Sequence, residues 1–131
     1  TKKNPLKAES KTPISKKIKD CKRIIGLNSF IKVKFYENII KSNKTIDLIN
    51  YHQKNKNIEI FFLMGADNLI NFHKWHKSKL ISQKCNIIVF DRHGYKKNSL
   101  KSKTFKSLNN KTLTFVEFKK VNISSSQLRK I

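Results

Sequence analysis

The amino-acid sequence predicts an α/β fold, a parallel sheet with helices on its flanks, and three observations lead there. Strand and helix patterns alternate along the chain, as crossover connections between parallel strands require. Two of the strand patterns, Ile58–Met64 and Asn86–Phe90, are apolar almost throughout, as strands buried on both faces are. The 131 residues, 37% of them hydrophobic, suffice for the core of one domain and are too apolar for wholesale disorder.

Residues 1–13 are polar and end in Thr12-Pro13, through which a helix is hard to run. Ser15 can then cap a helix through about Ile25, because Ile18, Cys21, Ile24 and Ile25 recur at spacings of three and four, and Gly26 is placed to end it. Phe30 to Phe35 alternates after Ile31, the pattern of a strand with one face buried. Thr45 offers an N-cap with Asp47 in the first turn, and a helix through about Lys54 follows. The run Ile58–Met64, interrupted by Glu59, reads as a strand. A helical stretch carries Leu69, Phe72 and Trp75, then Leu80 and Ile81, and Asn86–Phe90 is the next strand. Residues 96–111 are rich in Lys, Ser and Asn without an apolar period and read as a surface loop or insertion. Leu113 to Phe118 closes the series as a last strand. No internal repeat interrupts it, so residues 1–131 read as a single, partial domain.

Composition narrows the function classes. Thirty basic residues against 8 acidic ones give a formal charge of +22, which suits a binder of polyanions such as nucleic acid. Yet 27 of the 30 are Lys, and only Arg23, Arg92 and Arg129 carry the forked guanidinium on which base readout and many phosphate clamps depend. Lys, Asn, Ile and Phe share A/T-rich codons, so part of the charge is compositional. Nucleic acid is therefore expected only as a non-specific polyanion. Apolar runs stop within about eight residues, short of a membrane span. Two cysteines, Cys21 and Cys85, make no disulfide framework, and no secretory pattern opens the chain, so a cytoplasmic protein is expected.

Ligands of such sheets gather beyond the carboxyl ends of the strands, and three segments stand there. In Met64-Gly65-Ala66-Asp67-Asn68, Gly65 permits close backbone approach; Asp67 either accepts from ribose hydroxyls or merely caps a helix. In Phe90-Asp91-Arg92-His93-Gly94-Tyr95, Arg92 either meets a phosphate or is a solvated residue of a plain turn. In Ile123-Ser124-Ser125-Ser126-Gln127-Leu128-Arg129, the serines either present an anion with hydroxyls and backbone N–H groups or simply cap a helix. His73 and His76 share a helical face at i, i+3. No carboxylate lies in the same turns and no third ligand is marked, so they flank a pocket or face solvent in preference to binding zinc.

Taken together, Gly65-Ala66-Asp67-Asn68-Leu69, Phe72-His73-Lys74-Trp75, Ile87 to Tyr95 and Ile123 to Arg129 resemble, in order and spacing, bacterial nicotinate-nucleotide adenylyltransferase. Asn4-Pro5-Leu6-Lys7, Glu37 and Thr45-Ile46-Asp47 extend the resemblance upstream. It implies a Rossmann-like nucleotidyltransferase that joins nicotinate mononucleotide to ATP and releases pyrophosphate. The implied residues for nicotinate mononucleotide are Thr45, Asp67, Trp75 and Arg92; those for ATP phosphates are Lys7, Ser124, Ser125 and Arg129. Mg²⁺ is implied as an ion held through the ATP phosphates, with no dedicated protein cage.

The sequence departs from the pattern at Lys44, where the family has Tyr, at His93, where it has Pro, and at Ser126, where it has Thr. The family's His-x-Gly-His loop, whose histidines stabilise charge on the transferring phosphoryl group, occurs nowhere among His52, His73, His76 and His93. The first strand of the family and its C-terminal helical region are likewise expected to be missing. A partial chain, poorly stable and catalytically silent alone, is the expectation.

Overall fold

A computed structural model describes residues 12–109, 111–117 and 119. It falls into two compact units, residues 1–54 and 55–131.

The described part of the first unit consists of helices joined by irregular chain. Helix α1 (Ile14–Ile25) starts directly after Pro13, and Gly26 ends it by donating its N–H to the Lys22 carbonyl at 3.0 Å. Ser15 lies inside the helix, and no side chain caps its start. The expected apolar face is present in sequence but carries no buried residue: Cys21 is exposed and Ile24 almost fully so. The strand expected at Phe30–Phe35 is irregular chain instead. Asn28 Oδ1 accepts from the N–H groups of Phe30 and Ile31 at 2.9 and 3.1 Å, which diverts the donors a ladder would begin with. Phe30 and Ile31 stay exposed. A short helix α2 (Glu37–Ile40) precedes α3 (Thr45–Gln53). Lys44, not Thr45, holds the cap position of α3, and its start is organised by Ser42, whose hydroxyl donates to Asp47 Oδ2 at 2.6 Å and accepts from Lys44 N–H at 3.2 Å. Ile46 and Ile49 of α3 are buried, and Tyr36, Tyr51 and His52 form a ring cluster with centroids 4.8 to 5.6 Å apart.

The second unit is the α/β unit. Strands β1 (Phe61–Gly65), β2 (Asn86–Phe90) and β3 (Leu113–Val116) form a parallel sheet in the order β1-β2-β3. Helices α4 (Ala66–Asn71) and α5 (Ser78–Lys84), with a 3₁₀ turn at Phe72–Lys74 between them, connect β1 to β2. Helices α6 (Lys96–Leu100) and α7 (Lys103–Leu108) connect β2 to β3.

One sheet face carries Met64, Ile87, Val89 and Leu113, all buried; α4 packs on β1 and α5 on β2, adding Ala66, Leu69, Phe72, Ile81 and Cys85 to the core. The other face carries Phe61 and Leu63, exposed at 53% and 57%. Among the described residues, the expectation that β1 is buried on both faces is therefore corrected: β1 is first in the strand order, and described residues cover one of its faces. It also starts later than Ile58, and Glu59 is spent on accepting from Asn86 Nδ2 at 2.7 Å.

Within residues 96–111, read from sequence as a surface loop or insertion, Lys96–Leu100 and Lys103–Leu108 are helical. Two short helices form there because serine supplies local partners that a count of polar residues overlooks. Ser102 caps α7 by accepting from Phe105 N–H at 3.1 Å, and Ser99, fully buried, donates to the Lys96 carbonyl at 2.8 Å. Phe105 of α7 then meets Phe115 of β3 edge-on at 6.1 Å.

Candidate functional site

The parallel register pairs Gly65, the last residue of β1, with Phe90, the last residue of β2. Asp67 and Arg92 each follow two residues beyond that pair, so the ladder brings them together at the carboxyl ends of adjacent strands. Arg92 Nη1 donates to Asp67 Oδ2 at 2.8 Å, a charge-assisted hydrogen bond. Asp67 is the more sheltered partner, its side chain 15% exposed against 41% for Arg92. The carboxylate thus faces inward while part of the guanidinium remains open to a ligand.

Gly65 makes this arrangement possible. Helix α4 begins at Ala66 with no intervening loop, and Gly65 holds its cap position at φ −81°, a conformation any residue adopts. The need is for space: a Cβ on Gly65 would lie 2.6 Å from Asp67 Oδ1. Gly65, not Asp67, holds the cap position; Asp67 lies in the first turn of α4 and is paired with Arg92.

Arg92 is positioned by a turn. Tyr95 N–H donates to the Arg92 carbonyl at 3.0 Å, and Gly94, third of the four residues, has φ +81°, as a type II turn demands. His93 takes the second place of that turn, which accepts most residues as well as Pro. Beyond the turn, Lys96 Nζ meets Glu117 at 2.6 Å, and this hydrogen bond, foremost, raises the Lys96 pKa above its ordinary value. Asp91 is buried, and its N–H donates to the Val116 carbonyl at 3.0 Å, extending the ladder by one step.

The other expected residues stand as follows. Trp75 follows the 3₁₀ turn, half-buried, with ring contacts to Phe62 at 5.9 Å and Phe72 at 5.4 Å. Thr45 is the first residue of α3 and belongs to the first unit, whereas Asp67, Trp75 and Arg92 belong to the second. Lys7, Ser124, Ser125 and Arg129 lie outside the described residues. His73 and His76 are exposed, and among the described residues no group of three His, Cys, Asp or Glu is placed to hold a metal ion.

Three participants were not singled out by motif alone: the pairing of Asp67 with Arg92, the place of Tyr95 beside Arg92, and the Lys96–Glu117 contact. The first was available in principle, by counting equal offsets from two strand ends once their register is known.

Comparison with known proteins identifies the family. The family described as Cytidylyltransferase-like matches residues 1–131, and so runs through both units. A curated protein of Pelagibacter ubique named "Probable nicotinate-nucleotide adenylyltransferase" is 65% identical over the whole chain, which covers 73% of that protein. Proteins of the same name from Clostridium botulinum and Agrobacterium fabrum are 35% and 34% identical over 60% and 70% of this chain, and 40% and 49% of their own lengths. The solved structure of Plasmodium falciparum nicotinic acid mononucleotide adenylyltransferase complexed with NaAD matches with a TM-score of 0.74 at 19% identity, over 98% of this chain and 64% of that one, a likeness of fold. The chain belongs to the Cytidylyltransferase-like family and, within it, to the nicotinate-nucleotide adenylyltransferases.

Proposed function

We propose that this chain binds nicotinate mononucleotide and ATP for adenylyl transfer, the observation that carries the reading being the Arg92–Asp67 pair at the carboxyl ends of β1 and β2. In that reaction a phosphate oxygen of nicotinate mononucleotide forms a bond to the α-phosphorus of ATP, the bond from that phosphorus to the β-phosphate bridge breaks, and pyrophosphate leaves. In-line displacement of this kind depends on positioning and on charge more than on covalent help from the protein.

In this reading the open part of the Arg92 guanidinium meets an anionic group of nicotinate mononucleotide, with Asp67 fixing its direction. Trp75 offers an aromatic face to the pyridine ring, and Thr45 contributes a hydroxyl. Lys7, Ser124, Ser125 and Arg129 take the ATP phosphates, where hydroxyls, backbone N–H groups and cations suit polyphosphate. A divalent ion, Mg²⁺ in this proposal, supplies charge neutralisation on the phosphates. The two units act as one partial nucleotidyltransferase domain, a reading supported by the family match across both. The site of action is the cytoplasm; among the described residues no helix is long and apolar enough to cross a membrane.

Titration calorimetry of the purified chain with nicotinate mononucleotide tests the proposal. Binding is expected, with at least a fivefold loss on Trp75→Ala or Asp67→Ala; that factor corresponds to about 1 kcal/mol. Equal binding by both variants and the parent chain would remove these residues from the site.

A further inference from the structure

Arg92 has a second neighbour besides Asp67. Its guanidinium carbon lies 5.7 Å from the centroid of the Tyr95 ring, within the range of cation–π attraction. That contact is built into the backbone. Arg92 and Tyr95 are first and last residues of the same turn, closed by the 3.0 Å hydrogen bond and shaped by Gly94 at φ +81°. Tyr95 is also anchored from its other side, because it occupies the cap position of α6 and its carbonyl accepts from Ser99 N–H at 2.9 Å. The first turn of α6 is tied to the end of β3 through Lys96 and Glu117. The ring therefore sits on a fixed backbone, whereas Arg92 has a long flexible side chain that is 41% exposed.

A carboxylate alone holds one edge of a guanidinium and leaves it free to swing about that bond. An aromatic ring a few ångströms away limits the swing without taking any of the N–H donors, so those not used by Asp67 stay available. We propose that Tyr95 is a positioning residue: its ring holds the Arg92 guanidinium against Asp67 with its remaining donors turned to an anionic group of the substrate. The assignment of the substrate rests on the function proposed above; the positioning of Arg92 does not.

The test has two readouts in the intact chain. The first is the Arg92 Nε–H signal by ¹⁵N NMR without ligand. Parent and Tyr95→Phe are expected to show a dispersed, slowly exchanging signal, which Tyr95→Leu and Tyr95→Gln collapse toward that of a free arginine. The second is nicotinate mononucleotide affinity by calorimetry. Tyr95→Phe is expected to match the parent, and Tyr95→Leu and Tyr95→Gln to bind about two- to fivefold more weakly, the equivalent of an exposed cation–π contact. Gln keeps a polar group at this half-exposed position, so it serves should Leu disturb the fold. An unchanged Arg92 signal in both Leu and Gln variants would overturn the proposal, as would Phe behaving like Leu. A parent chain that binds no nicotinate mononucleotide would instead refute the proposed function, and the NMR comparison would still decide the role of Tyr95.

Discussion

At the scale of single residues, the site depends on an absent atom as much as on present ones. Gly65 leaves room for the Asp67 carboxylate, and Asp67 in turn holds Arg92 at 2.8 Å. Gly65→Ala would place a methyl group 2.6 Å from Asp67 Oδ1, and because the carboxylate is tied to Arg92 it cannot move without loosening the pair. The variant is expected to fold and to lose about 1 kcal/mol of nicotinate mononucleotide affinity, taking a charged hydrogen bond and discounting it for the exposure of Arg92. Calorimetry checks this, and a Gly65→Ala variant binding as tightly as the parent would show the carboxylate to be free of the ligand. Gly65, Asp67 and Arg92 stood out as single residues because Gly65 ends an apolar strand and the other two each follow one closely. Their mutual contact did not, since a motif names positions and the register of a ladder decides which of them meet.

At the scale of elements, local hydrogen bonds overrode pattern in both directions. Phe30–Phe35 alternates like a strand, yet Asn28 captures its first donors and the segment stays irregular. Residues 96–111 look like loop, yet Ser102 caps a helix and Ser99 is fully buried. Ser102→Ala is accordingly expected to lower stability by about 1 kcal/mol, read as a lower urea midpoint with unchanged slope. No change would mean that α7 is held by Phe105 packing alone. The strands at 86–90 and 113–116 and the helices around Leu69 and Ile81 were legible, because continuous apolar runs and three-to-four spacing report burial directly. Burial on the outer face of β1 was not legible correctly: an apolar run shows that a strand could be covered on both faces, and among the described residues nothing fully covers Phe61 and Leu63, which are exposed.

At the scale of the whole molecule, the charge of +22 is mostly lysine, which lies in α1, α5, α6, α7 and the connections and is absent from the three strands, while the assigned chemistry rests on few arginines. Among the described residues, two groups hold their protons more tightly than usual. Burial pushes the Cys85 thiol above its ordinary 9.0, and the hydrogen bond to Glu117 foremost pushes the Lys96 ammonium above 10.5. Both hold their proton more tightly folded than unfolded, so their contribution is complete below the unfolded values and is lost as pH rises through the folded ones. Relief of repulsion among the many lysines acts over the same pH range, so the Cys85 contribution is read by difference: the urea midpoint of the parent is expected to drop relative to that of Cys85→Ala as pH rises above about 9, and parallel pH profiles would contradict the assignment.

The central claim is that Asp67 acts on the substrate through Arg92. A double-mutant cycle with Asp67→Asn and Arg92→Gln, read by calorimetry with nicotinate mononucleotide, addresses it most directly. The structure predicts that each single substitution weakens binding and that the double variant binds no more weakly than Arg92→Gln alone. Losses that add in full, or a parent chain that does not bind nicotinate mononucleotide, would contradict it.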